Sequence, residues 1–324
     1  MPKLRRSQSG FTLIEALVAL AVLTIISMVV VGALAPWIGF KQSVDTDRKL
    51  QDLKQGFKSY YDSNAMAIEA QGGGAFAGFV NSAPDASGSC AVQTAAFEQI
   101  SGKLSESPQQ LARDGYANPW CFFISPALQE NRDGVQLWYR NVAIVSTGRD
   151  GKLNAGTRMD AQGNLITDPN GDDTGVVISG YEIEQAKVKE TLKRLSRVAA
   201  MYETYFTTRF LAYPDRDITR YYFSSGAANY DGGGAVTTTG GNWAAVSAKL
   251  SGIGVAAIDA VTPWEAPNNN IEVGNYTESV GGVQVRSPAT TGTSSLPYTA
   301  LLRARLPAPA GQTVYATQVV VGNY

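Results

Sequence analysis

The pattern of apolar positions divides the chain near residue 40. Residues 11–35 are predominantly apolar and contain a single charged side chain, Glu15. Residues 16–35 carry no charge and are enough to cross a bilayer as one helix. This segment therefore predicts a membrane-spanning helix. The acid at its beginning needs an explanation, because a carboxylate in hydrocarbon costs about 2.5 kcal/mol or more.

The residues before this segment indicate its orientation. Lys3, Arg5 and Arg6 precede the apolar run, and positive charge before a span keeps that end in the cytoplasm. The rest of the chain, after residue 40, is then exported. A secretory signal has its small-residue cleavage site after the apolar region, whereas here the small residue, Gly10, comes before it.

Beyond residue 40 the pattern becomes that of an amphipathic helix. Leu50, Leu53, Phe57 and Tyr60 recur at spacings of three and four, with charged residues between them. We predict one continuous helix from the membrane to about residue 70, ended by the glycine run at 72–74. A proline inside a helix removes a hydrogen bond, so Pro36 predicts an interruption.

Strand-like segments follow the predicted helix. Residues 120–125, 135–139 and 142–146 are rich in aromatic and β-branched side chains and are separated by turn residues. We predict that they form one antiparallel sheet on which the helix packs.

A second helix-and-strand pattern follows at a nearly constant shift. A shift of 142 positions lays Leu192, Leu195, Ala199 and Tyr202 on the first apolar helix face, and a shift of 144 lays Pro263-Trp264 on Pro119-Trp120. Strand-like stretches follow at 271–273, 283–285, 301–306 and 314–321. The pattern predicts two similar heads in tandem. A single elaborated head stays open as an alternative, because two helical faces can always be aligned in phase.

Composition restricts the chemistry available to the chain. Histidine is absent, which excludes Ser-His-Asp and Cys-His catalysis and histidine-ligated zinc or haem. Two cysteines are too few for a thiolate zinc site or an iron–sulfur cluster. Only carboxylate catalysis remains formally available, so we expect no enzymatic activity.

The charge pattern gives no indication of nucleic-acid binding. The formal net charge is −1, so the chain as a whole has no basic footprint. Five basic residues cluster on the second predicted helix, namely Lys187, Lys189, Lys193, Arg194 and Arg197. Glu182, Glu184 and Glu190 are interleaved with them. We interpret the cluster as a solvated helix face and expect no nucleic-acid partner.

The two cysteines, Cys90 and Cys121, lie in the same half of the chain. Export favours one disulfide between them, which by loop-closure entropy contributes about 3 to 4 kcal/mol. A pair of buried thiols is the alternative.

A loop at residues 150–173 is rich in Asp, Asn and Gly. Such oxygen-rich loops suit Ca²⁺, which takes six to eight hard ligands in flexible geometry, although the spacing is not that of an EF-hand. The same residues are also typical of any solvated turn.

The start of the apolar segment resembles the processing site of type IV pilin precursors and of the related pseudopilins of type II secretion. The matching residues are Gly10-Phe11-Thr12-Leu13-Ile14-Glu15. The resemblance implies that a membrane peptidase cleaves after Gly10 and methylates the new terminus at Phe11. The apolar helix is then retained as the assembly element. A plain signal anchor with a chance acid is the alternative.

This resemblance suggests a purpose for Glu15. After cleavage Phe11 carries a free amine, which stays cationic when methylated and is mostly charged at neutral pH. Our hypothesis is that Glu15 of one subunit pairs with the Phe11 amine of its neighbour in a filament core. Removing one partner of a buried ion pair costs about 3 to 5 kcal/mol, so the pair would also fix the axial register.

The resemblance extends to the head. A long helix on an antiparallel sheet is similar to the pilin head, and Pro119-Trp120 before residues 146–151 (STGRDG) resembles the order in major pseudopilins. Those proteins hold calcium in the following loop, which implies Asp150, Asp172 and Asp173 as calcium ligands. The loop is longer here and contains Lys152 and Arg158.

These observations predict an α+β fold in which a long amino-terminal helix packs on an antiparallel sheet head, with a second such head in tandem. The predicted divisions are a leader at 1–10, a transmembrane and assembly helix at 11–40, a first head at 41–180 and a second head at 181–324.

The predicted function is that of a type IV pilus subunit exposed for adhesion or display. It would reside in the bacterial inner membrane and then in a periplasmic or extracellular filament. Its partners would be other pilins, the prepilin peptidase and methyltransferase, and an inner-membrane assembly platform. Two alternatives stay open: a type II secretion pseudopilin, favoured by the calcium-type loop, and a membrane-anchored surface binding protein that does not polymerise.

Overall fold

The computed structural model describes residues 13–71, 75–214, 216, 218, 222–223, 243–249, 253–266, 269–274, 279–280, 283–284 and 299–324. Within these ranges, only the backbone is described at positions 29–35, 244, 248–249, 279–280 and 283–284.

Four α-helices are defined in the described residues: α1 (Leu13–Ala70), α2 (Thr94–Gln99), α3 (Pro108–Leu111) and α4 (Gly180–Ala212). Short 3₁₀ helices lie at Ser101–Lys103, Val246–Lys249 and Ala257–Ala260.

The strands in the first half are β1 (Ala75–Phe76), β2 (Phe79–Val80), β3 (Cys121–Ile124), β4 (Leu128–Arg132), β5 (Val135–Tyr139), β6 (Asn141–Ser146), β7 (Arg158–Met159), β8 (Leu165–Ile166) and β9 (Thr174–Ser179). Those in the second half are β10 (Trp243–Ala245), β11 (Ile271–Gly274), β12 (Ser279–Val280), β13 (Val283–Gln284), β14 (Thr299–Leu306) and β15 (Val314–Val321).

Helix α1 is 58 residues long and runs through Pro36. The predicted interruption at Pro36 is not observed. Instead, Asn64 is the position inside the helix with non-helical backbone angles (φ −122°, ψ 15°). From Leu50 onward one face is buried against the head, including Leu53, Phe57 and Tyr61. The amphipathic pattern is thus confirmed at Leu50, Leu53 and Phe57, whereas the predicted Tyr60 is half-buried and packs at the edge of the core.

The first sheet is antiparallel, with β6 between β3 and β9. Phe122 pairs with Ile144, and Ile144 with Val176. Strand β5 does not join this sheet, so the predicted single sheet is wrong in that respect. It pairs with β4 in a separate hairpin, because Asp133 (φ 53°) and Gly134 (φ 76°) form a tight two-residue turn of the kind that folds adjacent strands together.

The second sheet is antiparallel in the order β10-β11-β14-β15. Helix α4 packs against β14 and β15, and its buried residues include Leu195, Ala199, Tyr202 and Phe206. The predicted second helix and its strands at 271–273, 301–306 and 314–321 are therefore present. Of the strand predicted at 283–285, residues 283–284 form β13 and residue 285 lies outside the described residues. The two sheets differ in strand number, and the equivalence of the two halves as tandem heads stays a prediction.

One hydrophobic core extends across the described residues of both halves. It contains Phe57 of α1, Ile144 of β6, Leu195 of α4, and Leu302 and Val320 of the second sheet. Helices α1 and α4 contact each other directly, so the two helix-and-sheet units are packed together through their helices. The predicted boundary at 180/181 stays a prediction.

Candidate functional site

The amino-terminal part of α1 stands apart from the head. The large apolar side chains of residues 13–28 are exposed; the first, Leu13, is 81% exposed and the last, Met28, is 76% exposed. In contrast, the same helix is buried on one face from Leu50. An apolar surface of this extent marks a site of interaction with a protein or a membrane. This part of α1 is the first candidate site.

Glu15 lies in the first turn of α1 and is exposed. A carboxylate at this end of a helix is favoured by the helix dipole. Gly10 and Phe11, the predicted processing residues, lie outside the described residues. The pairing of Glu15 with a neighbouring Phe11 amine therefore stays a prediction.

Within the part of the chain that the structure describes, no helix combines the length and the apolar character that a membrane crossing requires. The span predicted at 16–35 includes positions 29–35, whose side chains lie outside the described residues.

Cys90 and Cys121 are joined by a disulfide, with their Cα atoms 5.5 Å apart. This is the predicted pairing. Both residues are buried and pack against Val145 of the central strand β6. The bond ties the segment before α2 to the first strand of the first sheet.

In the predicted calcium loop, the aspartates accept hydrogen bonds from the loop itself. Asp172 Oδ2 accepts from the backbone amide of Arg149 at 2.7 Å and from that of Asp150 at 3.4 Å. Asp150 Oδ1 accepts from the amide of Lys152 at 2.8 Å. Gly148 (φ 62°) lies so close to Asp172 that a Cβ there would clash with the carboxylate. These contacts hold the turn after β6 against the segment before β9.

Asp173 is the most buried carboxylate of this loop. Its Oδ2 accepts from the backbone amide of Asn154 at 2.9 Å and from the Thr157 hydroxyl at 2.6 Å. Its Oδ1 is buried and has no hydrogen-bond partner. An unpartnered carboxylate oxygen suits a hard cation. However, no group of three or more acidic or cysteine side chains in the described ranges is placed to hold a metal. The fit to Ca²⁺ thus rests on one oxygen, and the site stays a prediction.

A second candidate site, which we call the carboxylate cluster, lies where α1 meets α4. It consists of Tyr61, Glu69, Arg140, Glu184 and Trp264, all 0–2% exposed. The Tyr61 hydroxyl donates to Glu69 and accepts from the Arg140 amide. Arg140 Nε lies 3.6 Å from Glu69 Oε2, and Trp264 Nε1 donates to Glu184 Oε2 at 2.9 Å.

The cluster is continued at the surface by an ion pair, which we call the rim pair. Lys187 Nζ lies 3.1 Å from Asp62 Oδ1 and also donates to the Asp62 carbonyl. A groove of about 490 Å³ between α1 and α4 opens beside this pair. The backbone approach is close here, because a Cβ at Gly180 would clash with the Arg140 carbonyl and the Tyr61 hydroxyl.

Burial changes the titration of these groups. It raises the pKa of Glu184 from its ordinary 4.5 to about 8, against the hydrogen bond from Trp264 and with the help of the nearby Glu69 charge. Burial also raises the pKa of Glu69, while Tyr61 and Arg140 act in the opposite direction. Burial and the Glu69 charge raise the pKa of Tyr61 well above its usual range.

The basic cluster of α4 differs from the predicted solvated face. Lys187 is buried and belongs to the rim pair. Arg194 pairs with Glu190 and donates to the Val261 carbonyl, and Arg197 pairs with Asp259. These three basic groups therefore serve contacts within the chain. The prediction of a wholly solvated face is wrong for Lys187, because the packing of α1 covers it.

Sequence reasoning missed the carboxylate cluster. A signal was present: Glu69 follows Tyr61 and Ala65 at spacings of eight and four, and Glu184 precedes Val188 by four. Both acids thus occupy core positions of an amphipathic helix, where an ionisable group calls for a partner.

Comparison with known proteins found a match for the amino-terminal part of the chain. Comparisons with curated proteins and with solved structures gave no match. A family model, the prokaryotic N-terminal methylation motif, matches residues 5–31. This range includes Gly10, Phe11 and Glu15 together with the exposed apolar turns of α1. Residues 5–31 therefore carry the prokaryotic N-terminal methylation motif, the leader signature of type IV pilins and pseudopilins.

Proposed function

We propose that the chain is the precursor of a type IV pilus subunit with a structural rather than enzymatic role. The observation that carries the proposal is the continuity of the methylation motif, at residues 5–31, with a 58-residue helix. In the part of the motif whose side chains are described, residues 13–28, that helix is predominantly apolar and exposed, and from Leu50 it is buried on one face. A subunit that polymerises through its helix and presents its head outward needs this division.

In the proposed cycle, the peptidase cleaves after Gly10, the Phe11 amine is methylated, and the subunit waits in the membrane until an assembly platform extracts it. Glu15 of one subunit then neutralises the Phe11 amine of a neighbour. A subunit docked out of register would bury two bare charges, and each such charge is costly. The pair would thus select the correct register.

We further propose that the second half is a tandem head. Two parallels between the sheets support this. Pro119-Trp120 precedes β3 and Pro263-Trp264 precedes β11. In the chain, the hairpin β4-β5 then lies between β3 and β6, and the hairpin β12-β13 lies between β11 and β14. In both halves the two strands that flank the hairpin are hydrogen-bonded to each other, β3 to β6 and β11 to β14. The additional strand β10 would be an elaboration of the second head.

A pseudopilin of a type II secretion system is the second candidate. The observation that favours it is the unpartnered Asp173 Oδ1 in the predicted calcium loop. An anchored surface binding protein that does not polymerise is the third candidate, and it predicts that the chain stays with the membrane when filaments are sheared off.

The test uses variants of Glu15 in the full chain. We expect Glu15→Ala and Glu15→Leu to reach the membrane in normal amounts but to be lost from sheared surface filaments, while Glu15→Asp retains part of the assembly. Glu98→Ala, which removes an exposed carboxylate of the head, is the matched control. Normal amounts of the Glu15→Leu protein in filaments would contradict the proposal. If the wild-type protein itself is absent from the sheared filaments and stays in the membrane, the non-polymerising candidate is favoured.

A further inference from the structure

The carboxylate cluster joins three parts of the chain that are far apart in sequence. Glu69 lies in the last turn of α1, after the non-helical Asn64. Glu184 lies in the second turn of α4, and Trp264 belongs to the segment before β11. Glu184 accepts a hydrogen bond from Trp264 and is acted on by the charges of Asp62 and Glu69 of α1, so it is coupled both to the segment before β11 and to the end of the first helix.

The charges of this cluster do not balance when every group is ionised. Glu69 and Glu184 are both fully buried. Arg140 is the cation beside Glu69, at 3.6 Å. In contrast, Lys187, the cation that acts on Glu184, is already paired with Asp62. The rim pair, Asp62 and Lys187, is neutral as a pair. Glu184 Oε1 and Glu69 Oε2 are buried without hydrogen-bond partners. A second buried carboxylate without a second cation is costly, and a proton on one of the two removes that cost.

Each group that faces Glu184 affects whether its carboxyl group keeps its proton. Tyr61, Asp62 and Glu69 face it from α1, Lys187 from its own helix and Trp264 from the segment before β11. The Asp62 and Glu69 charges oppose ionisation of Glu184, whereas Lys187 and the Trp264 hydrogen bond favour it. Burial outweighs the favourable contacts.

We propose that Glu184 and Glu69 form a proton-dependent latch between α4 and the end of α1, closed while Glu184 holds its proton and loosened when that proton is lost to solvent. The loosened state lets the ionised Glu184 reach water, at the expense of the Trp264 contact and of the helix–helix packing. The latch is independent of whether the chain assembles into a filament.

The direction of the pH dependence follows from linkage. The folded pKa of Glu184, about 8, lies above its ordinary 4.5, so the closed state binds more protons than the open state between these values. The stability of the closed state is fully present below pH 4.5, declines between 4.5 and about 8, and is constant above that range. The absence of histidine and the disulfide of both cysteines remove the side chains that usually titrate here and leave the terminal α-amino group as the other ordinary group in this range.

The test measures hydrogen exchange of the full-length protein in nonionic detergent, at about pH 5.5, 6.5 and 7.5, with correction for intrinsic exchange. In the wild type, the opening constant for residues 180–190 should rise about tenfold per pH unit, as expected for one proton. In Glu184→Gln, which keeps the acceptor for Trp264, this rise should be lost. At pH 7.5 that variant should be about tenfold more protected than the wild type is at pH 5.5, because pH 5.5 already lies one unit above the ordinary pKa of 4.5.

Glu182→Gln is the matched control, because Glu182 lies two positions before Glu184 on α4 and is exposed; it should keep the wild-type pH dependence. If Glu184→Gln retains that dependence, Glu184 is not the titrating group and the latch is overturned. If a variant fails to fold, the wild type still decides: protection of residues 180–190 that stays constant or increases with pH contradicts the proposal, and a tenfold loss per unit supports it.

Discussion

The indole Nε1 of Trp264 donates a hydrogen bond of 2.9 Å to Oε2 of Glu184, and both side chains are buried. Trp120, the tryptophan of the Pro-Trp pair in the first half, donates instead to the backbone carbonyl of Leu111 at 2.7 Å. The two Pro-Trp pairs are alike in sequence and in the burial of their tryptophans. However, the tryptophan of the second pair donates its hydrogen bond to an ionisable side chain. This contact connects the second sheet to the start of α4.

Replacing Trp264 by Phe tests the energetic weight of that contact. The substitution leaves a buried carboxyl oxygen without its donor, so we expect the free energy of unfolding to fall by about 1–3 kcal/mol. Denaturant unfolding of the full chain in detergent provides the measurement. Trp37→Phe is the control, because Trp37 is exposed on α1, and it should change stability little. Equal effects of the two substitutions would refute the assigned role.

The buried ion pair of Glu69 and Arg140 gives a second prediction. Arg140→Met leaves Glu69 without its cation and removes the 2.6 Å hydrogen bond from Arg140 Nη2 to the Gln71 carbonyl, so we expect a loss of about 3–5 kcal/mol.

The double variant Arg140→Met/Glu69→Leu removes both charges, and it should recover much of that loss because apolar replacement of a buried pair is often tolerated. A double-mutant cycle measures the coupling. If the two single effects simply add, the residues are not coupled as the geometry requires.

The disulfide is expected to stabilise the first half of the chain. Cys90 and Cys121 are 31 positions apart, and closing a loop of that length contributes about 3–4 kcal/mol by the chain-entropy model. Cys90→Ala/Cys121→Ala should lower the unfolding free energy by this amount. Added reductant should have no further effect on the double variant. A reductant effect that persists there would show that the destabilisation has another source.

Calcium binding by the acidic loop is a further prediction. If Asp173 Oδ1 is a ligand, millimolar Ca²⁺ should raise the melting temperature of the wild type, since binding to the folded state stabilises it by mass action. The shift should disappear in Asp173→Asn and in Asp172→Ala/Asp173→Ala.

Asp85→Asn is a suitable control, because that exposed aspartate only caps a turn outside the acidic loop. Without a shift in the wild type, the carboxylates serve only to hold the loop through backbone hydrogen bonds.

The elements that the sequence predicted correctly are those whose patterns are formed by residues close together in the chain. The apolar face of α1 and that of α4 repeat at helical spacing, and β6, β11, β14 and β15 are rich in β-branched and apolar residues. Each pattern depends on neighbours along the chain, so it is visible before folding. The motif at residues 5–31 is likewise contiguous.

The features that the sequence did not predict depend on distant contacts. Strand β5 pairs with β4 through the Asp133-Gly134 turn instead of joining the first sheet, although both β5 and β6 are rich in apolar residues. In the sequence, nothing distinguishes Lys187 from the solvated lysines of α4, because it is the packing of α1 that buries it. The partners of Glu184 come from α1 and from the segment before β11, and no local pattern pairs them.

The central claim is that the methylation motif is used, so that the mature chain begins at Phe11. Mass spectrometry of the protein recovered from sheared surface filaments measures this most directly, because it reads the terminal residue and its modification together. The account predicts a mature chain that begins with N-methylated Phe11 and retains Glu15. A chain that begins at Met1, or at any residue other than Phe11, would contradict it.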